Sequence, residues 1–422
     1  MDKTATMQTA DPELMRAINR FHVLDTLRRF EPISRVEIGA RTRLARATVS
    51  AIVSDLIAEG LVREGLADEA AEGTATAAGR GRPRIMLRMN PQAAHVVGVK
   101  LSLHQIAILV TNLKAEVLLS LVLPVRTERM APEVIADLLE DGVRNSVAKA
   151  GLRLGDILGI GIGVPGFIDH GAGVVTWSPI FGRAAPAFAR MVGDRLGVPT
   201  IMENDVNLVT LAERWFGQGQ DIDDFMVVTV EHGVGMGLFV NGELYRGHHG
   251  LGAEFGHVKL GLGGPRCRCG QAGCIEAHAA DYAILRDAAG IVDLPDVTDA
   301  FAAHQAIAEV TRLALEGDEQ LAALFTRAGQ ALGLGIANLC NVLNPARVII
   351  SGAGTRAGAL LLDPLRTTMD ANLISALQGR IDVMVEPWGD EVWARGAASL
   401  VLEGIYRAPW SRVDRPRALI GA

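Results

Sequence analysis

The spacing His257-x9-Cys267-x-Cys269-x4-Cys274 gathers three of the four cysteines of the chain behind one histidine. Thiolate and imidazole are the donors zinc prefers, and three sulfurs with one nitrogen complete a closed tetrahedral site of structural type. Gly263, Gly264, Gly270 and Gly273 let the backbone wrap tightly around an ion. Arg266 and Arg268 stand ready to offset the excess charge of three thiolates on one dication. A disulfide is disfavoured, because Cys267 and Cys269 are one residue apart and would bond under strain. An iron–sulfur cluster usually takes four cysteines. The competing reading is a flexible glycine-rich loop with incidental thiols. Cys340 falls in an apolar helical run and reads as a small core residue.

A closed metal site does no chemistry itself, so the rest of the chain must say what it supports. At 422 residues the chain is too long for one ordinary core, and two or three domains are expected. Its 49% apolar content is that of a globular protein. Charges occur throughout the first thirty residues, and no charge-free run approaches a membrane span. The expected compartment is therefore the cytoplasm, where clustered thiols suggest a metal.

The N-terminal part is electrically different. Residues 16–63 hold nine arginines against five acids, in a chain of net charge −7. Ser34-Arg-Val-Glu37 has the form of a capping box and opens a short helix ending near Arg41. A second helix follows Thr42-Arg43-Leu44, with Val49, Ile52, Val53 and Leu56 at i, i+3, i+4 and i+7. Two short helices joined by a tight turn form a helix–turn–helix, whose second helix fits the major groove of DNA. Arg46, Thr48 and Ser50 lie near its exposed start, with Arg41 and Arg43 available to phosphates. Gly60-Leu61-Val62-Arg63 reads as the beginning of a β wing. The alternative is a helical pair serving only as a dimerisation module, and the basic charge at the turn favours DNA binding over it.

Between Leu66 and Pro83 the sequence turns low in complexity, as a wing tip or linker does. Its end, Arg80-Gly81-Arg82-Pro83-Arg84, has the form of an AT-hook core, in which arginines enter a narrow minor groove. A plain basic tether has the same composition.

From residue 95 onward the pattern is α/β. Val96–Leu101 and Ile106–Thr111 read as a hairpin, Leu118–Pro124 as a third strand, Pro132–Ala150 as a helix and Ile157–Val164 as a buried strand. A comparable unit begins at Phe225–Thr229 and closes on Val348–Gly354. Two such halves suggest two α/β lobes around a cleft.

These blocks together resemble the ROK family (repressors, open reading frames and kinases) over nearly the whole chain. The resemblance is carried by "GH" with "CRCGQAGCIE", by "GVPG", by "MENDVNLVTLAE" and by "NPARVIISGAG". The N-terminal "ISRVEIGARTRLARATVSAIVSDLIAEGLV" followed by "GRP" looks like the repressor branch. The resemblance implies an actin-like, ribonuclease-H-related kinase fold in two lobes, and either a sugar kinase or a sugar-responsive transcription factor. It also implies that Asn204 and Asp205 hold sugar hydroxyls, with Asp205 the general base in a kinase, and that Glu254, His257 and Glu276 are further sugar contacts.

Departures from the family pattern decide between the two activities. Where the family's first phosphate loop reads Asp-x-Gly-Gly-Thr, this chain has Lys100-Leu101-Ser102-Leu103-His104, whose leucines would fill nucleotide space. Where the second usually reads Gly-Thr-Gly-Ile-Gly, it has Glu231-His232-Gly233-Val234-Gly235. A cation for the magnesium-side carboxylate and an anion facing phosphate both oppose nucleotide binding. Ile180 stands where an asparagine is usual, so the sugar must differ in contacts or identity. Arg43 and Ala45 stand where glycine and a serine N-cap are expected, which weakens the turn and the helix start.

The sequence thus predicts an α/β protein: a winged helix–turn–helix (1–66), a wing or linker (67–90), a first ROK lobe (91–205), and a second lobe (206–422). The second lobe carries the zinc loop and a C-terminal helix that returns to the first. The predicted function is a non-enzymatic, sugar-responsive transcriptional regulator, a repressor in the first reading. An activator built from the same parts, and an ATP-dependent sugar kinase with a DNA-binding appendage, are the alternatives. Its partners would be a palindromic double-stranded operator, a sugar or sugar-phosphate effector and a second copy of itself, as a homodimer or dimer of dimers. Zinc would be the one cofactor, and no membrane is involved.

Overall fold

The computed structural model describes residues 12–66, 85–128, 130–170, 172–185, 187–294, 297, 300–386 and 390–406. Three units follow one another. The first begins with α1 (Pro12–Phe30), β1 (Ile33–Ser34), α2 (Arg35–Thr42) and α3 (Arg46–Ala58), and ends with β2 (Val62–Leu66) and β3 (Ile85–Met89). Ser34 caps α2: Glu37 N–H donates to its Oγ, and the Glu37 carboxylate accepts from Ser34 N–H at 2.9 Å. Val49, Val53 and Leu56 of α3 are buried against Val23, Leu24 and Leu27 of α1 and Ile38 of α2. The three strands form one antiparallel sheet in the order β1-β3-β2, the wing. The sequence reading missed α1, because charges on all its faces hide the period of its few buried residues.

The first lobe runs through β4 (His95–Leu101), β5 (Gln105–Asn112), β6 (Val117–Pro124), α4 (Pro132–Lys149) and β7 (Ile157–Val164). A small antiparallel excursion follows, β8 (Phe167–Asp169), β9 (Val174–Ser178) and β10 (Gly182–Ala185). The lobe continues with α5 (Phe188–Leu196), β11 (Thr200–Asn204) and α6 (Asp205–Phe216). The second lobe opens with β12 (Phe225–Val230), β13 (Val234–Val240) and β14 (Glu243–Leu244), then α7 (Glu276–Ala279), α8 (Asp281–Ala288), α9 (Ala300–Leu315) and α10 (Glu319–Leu343). It closes with β15 (Arg347–Ser351), α11 (Ala359–Asn372), β16 (Asp382–Glu386) and α12 (Asp390–Tyr406).

The two five-stranded sheets share one topology, β11-β7-β4-β5-β6 and β16-β15-β12-β13-β14. In each, a three-stranded antiparallel meander is extended by two parallel strands. The sequence repeats because the structure does. Helix α12 comes back across the first sheet and packs on β4 and β7. A methyl added at Gly98 of β4 would lie 1.8 Å from the carbonyl oxygen of Ala394, so bare backbone is what lets this helix dock. Helix α6 packs against α12 on one side and against β13 of the second lobe on the other. Within the span 206–422, α6 thus touches both lobes, and α12 is the C-terminal helix that lies on the first.

The N-terminal unit does not hang free. The Arg28 guanidinium lies 4.5 Å from the Trp215 ring centroid at the end of α6, Lys114 pairs with Glu31 at 2.7 Å, and Arg29 pairs with Asp221. Among the described residues, no helix is long and apolar enough to cross a membrane.

Candidate functional site

The cleft between the lobes is built on the junction of β11 and α6. Asn204 caps α6, its side-chain oxygen accepting from Val206 N–H at 2.9 Å and Asn207 N–H at 3.2 Å, while its amide donates to Gly166 O at 3.0 Å. Asp205 is the first helical residue and enjoys the helix dipole. Even so, burial pushes its carboxyl up to about 6; Lys100 opposes that rise and Glu231 adds to it. Asn204, Asn207 and Glu254 line one small space together with Gly166, Gly250, Gly252 and Ala253. Burial, with Glu276 and Asp205 nearby, pushes Glu254 up to about 7. Glu254 lines the cleft, and Asp205 and Glu276 lie close enough to it to disfavour its ionisation.

His257 joins this wall to the thiols. Its Nδ1 is 3.6 Å from Cys267 Sγ and its Nε2 is 4.0 Å from Glu254 Oε2. The donor atoms of His257, Cys267, Cys269 and Cys274 lie within 4.8 Å of one another, a set that can hold a metal ion. Short bridges, Lys259 to Cys274 and Arg266 to Ala272, fold the loop back on itself. Glu276 opens α7 directly after Cys274-Ile275, and its Oε2 accepts from Val234 N–H at 3.3 Å. The same carboxylate receives Tyr282 OH at 3.4 Å and approaches Cys267 Sγ at 3.4 Å. Cys340 is buried in α10, apart from the cluster, and burial pushes its thiol up to about 12.

Two expectations need correction. Lys259, not the neighbouring arginines alone, meets the thiols: its Nζ donates to Cys274 Sγ at 2.7 Å, while Arg268 stacks on Tyr282 at 4.1 Å. Leu101 and Leu103 do not fill nucleotide space; they pack into the core of the first lobe. The residue that faces the cleft from β4 is Lys100. Glu231 accepts from Ala353 N–H at 3.1 Å, so its own carboxylate occupies the amide of the Gly352-Ala353 turn. Ile180 is likewise turned into the first-lobe core. Asn207, Glu203, Arg246 and Lys259 escaped the sequence reading; the i+3 spacing of Asn204 and Asn207 on α6 was the one signal available for them.

In the head, Arg43 adopts the left-handed conformation (φ 57°) and Ala45 starts α3 without a side-chain cap. The turn is therefore made without glycine and without serine, at the cost the sequence implied. Arg46 and Ser50 are exposed and Thr48 is half-buried. Arg41 is exposed but stacked on Phe30, 3.7 Å from its ring centroid, which fixes its direction. Arg80 and Arg82 lie outside the described residues.

Comparison with known proteins agrees with this construction. The MarR family matches residues 17–70, the head. A xylose repressor from Caldicellulosiruptor bescii is 29% identical over 401 residues, covering 94% of this chain and 98% of that protein. The structure of a ROK family transcriptional regulator, a homologue of the Escherichia coli MLC protein, shares the fold with a TM-score of 0.77 at 24% identity, over 93% of this chain and 97% of that one. A ROK hexokinase from Thermus thermophilus superposes with a TM-score of 0.59 at 30% identity, over 72% of this chain and 97% of that one. The hexokinase thus matches a smaller share of the chain than the two regulator-type proteins do. The ROK family itself matches residues 96–404, which is well over half of the sequence, and the chain belongs to that family.

Proposed function

We propose that the protein is a sugar-responsive DNA-binding transcriptional regulator, a repressor of sugar uptake or catabolism genes that leaves its operator when sugar binds the cleft. One observation carries this reading: a winged helix–turn–helix is joined to a ROK body that keeps the cleft carboxylates but has Lys100 and Glu231 in the phosphate loops. The likeness to a xylose repressor over 94% of the chain supports it. Asn204, Asp205, Glu254, His257 and Glu276 are the proposed sugar contacts, with their oxygens and the His257 ring accepting or donating to hydroxyls. Zinc is the ion proposed for His257 and the three thiols, since three sulfurs and one imidazole match its preference and leave no open position for catalysis. Its work is to hold the wall that carries Glu254 and Glu276.

Arg41, Arg43, Arg46, Thr48 and Ser50 are the proposed DNA contacts, with Arg80 and Arg82 reaching from the linker. A homodimer or dimer of dimers in the cytoplasm would read a palindromic operator, and lobe closure on sugar would shift the spacing of its heads. The effector is a sugar or sugar phosphate. The test is thermal-shift and calorimetric screening of D-xylose, D-glucose, N-acetyl-D-glucosamine and their phosphates, followed by operator release in a gel-shift assay. A sugar that binds the cleft yet leaves operator affinity unchanged overturns the regulator reading.

A further inference from the structure

Immediately behind the cleft lies a buried charge that the sugar contacts do not account for. Glu203 is the penultimate residue of β11, with its side chain 2% exposed. Each of its oxygens is committed to a different wall. Oε1 accepts from Asn204 N–H at 2.9 Å and from the Asn207 side-chain amide at 3.0 Å, which lie at the start of α6. Oε2 accepts from Arg246 Nε at 2.6 Å, on the loop that follows β14 in the other lobe. His170, after β8, places Nδ1 3.5 Å from the same oxygen and 3.1 Å from Met202 O. Burial alone would raise the Glu203 carboxyl, but Arg246, His170 and the hydrogen bonds outweigh it and hold it below the usual range. The group is a fixed anion between the lobes.

Arg246 in turn shapes the cleft loop. Its carbonyl accepts from Gly252 N–H at 2.9 Å, closing the turn that leads to Ala253 and Glu254. Ala253 holds φ at 65°, a strained backbone for alanine that persists only where the surroundings impose it. We propose that Glu203 is a positioning residue for the cleft: one oxygen sets Asn204 and Asn207, and the other, through Arg246, sets the 246–254 loop and hence Glu254. Both walls take their alignment from one carboxylate. This rests on the reading of the cleft as a sugar site. An ion pair closed in low dielectric is stiff, because opening it leaves a charge buried without its partner.

Glu203→Gln separates the two duties. A glutamine Oε1 still accepts from Asn204 and Asn207, but the charge that holds Arg246 is gone. Hydrogen exchange on the full-length, zinc-loaded protein should then show lost protection at Gly252 and across 246–254, with residues 204–207 and the thiol loop unchanged. Affinity for the best-binding sugar among D-xylose, D-glucose and N-acetyl-D-glucosamine should fall roughly tenfold or more, as a misplaced contact does. Arg246→Met should do the same, and Arg246→Lys should recover part of the loss by restoring charge without the planar fork. The double variant Glu203→Gln/Arg246→Met should be no worse than either single change, since both act on one contact. Native-like protection of 246–254 in both single variants overturns the proposal, whatever the sugar results. Additive losses in the double variant overturn it as well, because they make the two residues independent. A native protein that binds neither the three sugars nor their phosphates overturns the sugar-site reading, while loop protection still decides whether Glu203 aligns the two walls.

Discussion

The side-chain nitrogen of Lys100 lies 4.3 Å from the centroid of the Trp393 ring, so a strand of the first lobe and the C-terminal helix share one buried cation. Lys100 is 6% exposed and acts electrostatically on Asp205. By the resemblance to ROK kinases, Lys100 stands where their first phosphate loop carries an aspartate, so a cation would replace the carboxylate that helps hold magnesium. Across the cleft Glu231 already occupies the amide of Ala353. Nucleotide phosphates would meet that carboxylate at close range. ATP with magnesium is therefore expected to leave the melting temperature unchanged, and no hexose or pentose should be phosphorylated above background. Turnover that disappears in Asp205→Asn would show instead that the cleft is an enzyme.

The raised carboxyl of Asp205 has a consequence for stability. Its ordinary value is 3.8 and in the fold it is about 6, so the folded protein holds the proton more tightly than the unfolded chain. Ionisation above pH 6 therefore costs the empty fold stability, and below pH 3.8 neither state pays. Asp205→Asn should stabilise the sugar-free protein at pH 8 by about 1–2 kcal/mol, allowing for its partial exposure, and the gain should shrink as pH falls from 6 toward 4. Denaturant melts at several pH values measure it. A gain independent of pH would place its origin outside this charge. The same variant should bind sugar poorly, the trade expected of a residue kept for its ligand.

For the metal, gently purified protein should contain about one zinc per chain. Cys274→Ser removes one of four donors and should lower the melting temperature by roughly 4–8 °C if loop ordering is worth about 2 kcal/mol. Sugar affinity should fall with it, because His257 faces Cys267 through one nitrogen and Glu254 through the other. Metal-free protein with all three thiols freely reactive would refute the site.

How much of this was legible in the sequence follows from distance along the chain. The thiol loop was readable because all four donors fall within eighteen residues, and the capping box of Ser34 and Glu37 because both halves lie within one turn. Strands β4, β5 and β7 were readable because burial on both faces leaves nearly continuous apolar runs. The pairing of Glu203 with Arg246 was not, since 43 residues separate them and only tertiary folding brings them together. Lys259 escaped for another reason: a lysine on a glycine-rich loop carries no pattern until its Nζ is seen at Cys274. Leu101 and Leu103 misled because their side chains alternate with Lys100 along the hairpin and turn inward. In each failure the missing quantity was direction.

Gly98 offers a test of the returning helix. Alanine there would bring a methyl to 1.8 Å from Ala394 O, and a backbone oxygen cannot step aside as a side chain can. Gly98→Ala should therefore destabilise the protein by about 2–3 kcal/mol or more. The loss should come with faster hydrogen exchange in α12 and with little effect on an operator-bound head. An unchanged melting temperature would mean that α12 docks less closely than this contact requires.

DNA recognition separates into two kinds of arginine. Arg46 is the first residue of α3, exposed, at the helix end that enters a major groove in this motif. Arg46→Ala should cost about 1–3 kcal/mol at the operator and little on unrelated DNA, because a base edge carries sequence information. Arg43 sits exposed in the turn between α2 and α3 with φ 57°. A phosphate contact from there is blind to sequence, so Arg43→Ala should weaken all DNA alike and reduce the slope of log K against log salt by about one. Arg43→Gly should restore none of that affinity, although it relieves the left-handed backbone and should raise the melting temperature. Ala45→Ser supplies the missing N-cap and should stabilise the head by about 0.5–2 kcal/mol without altering the preferred sequence. Filter-binding titrations over a salt series, run against operator and scrambled DNA, distinguish all four variants. Equal losses on both DNAs for Arg46→Ala would remove Arg46 from base recognition and shift the reading task to Thr48 and Ser50.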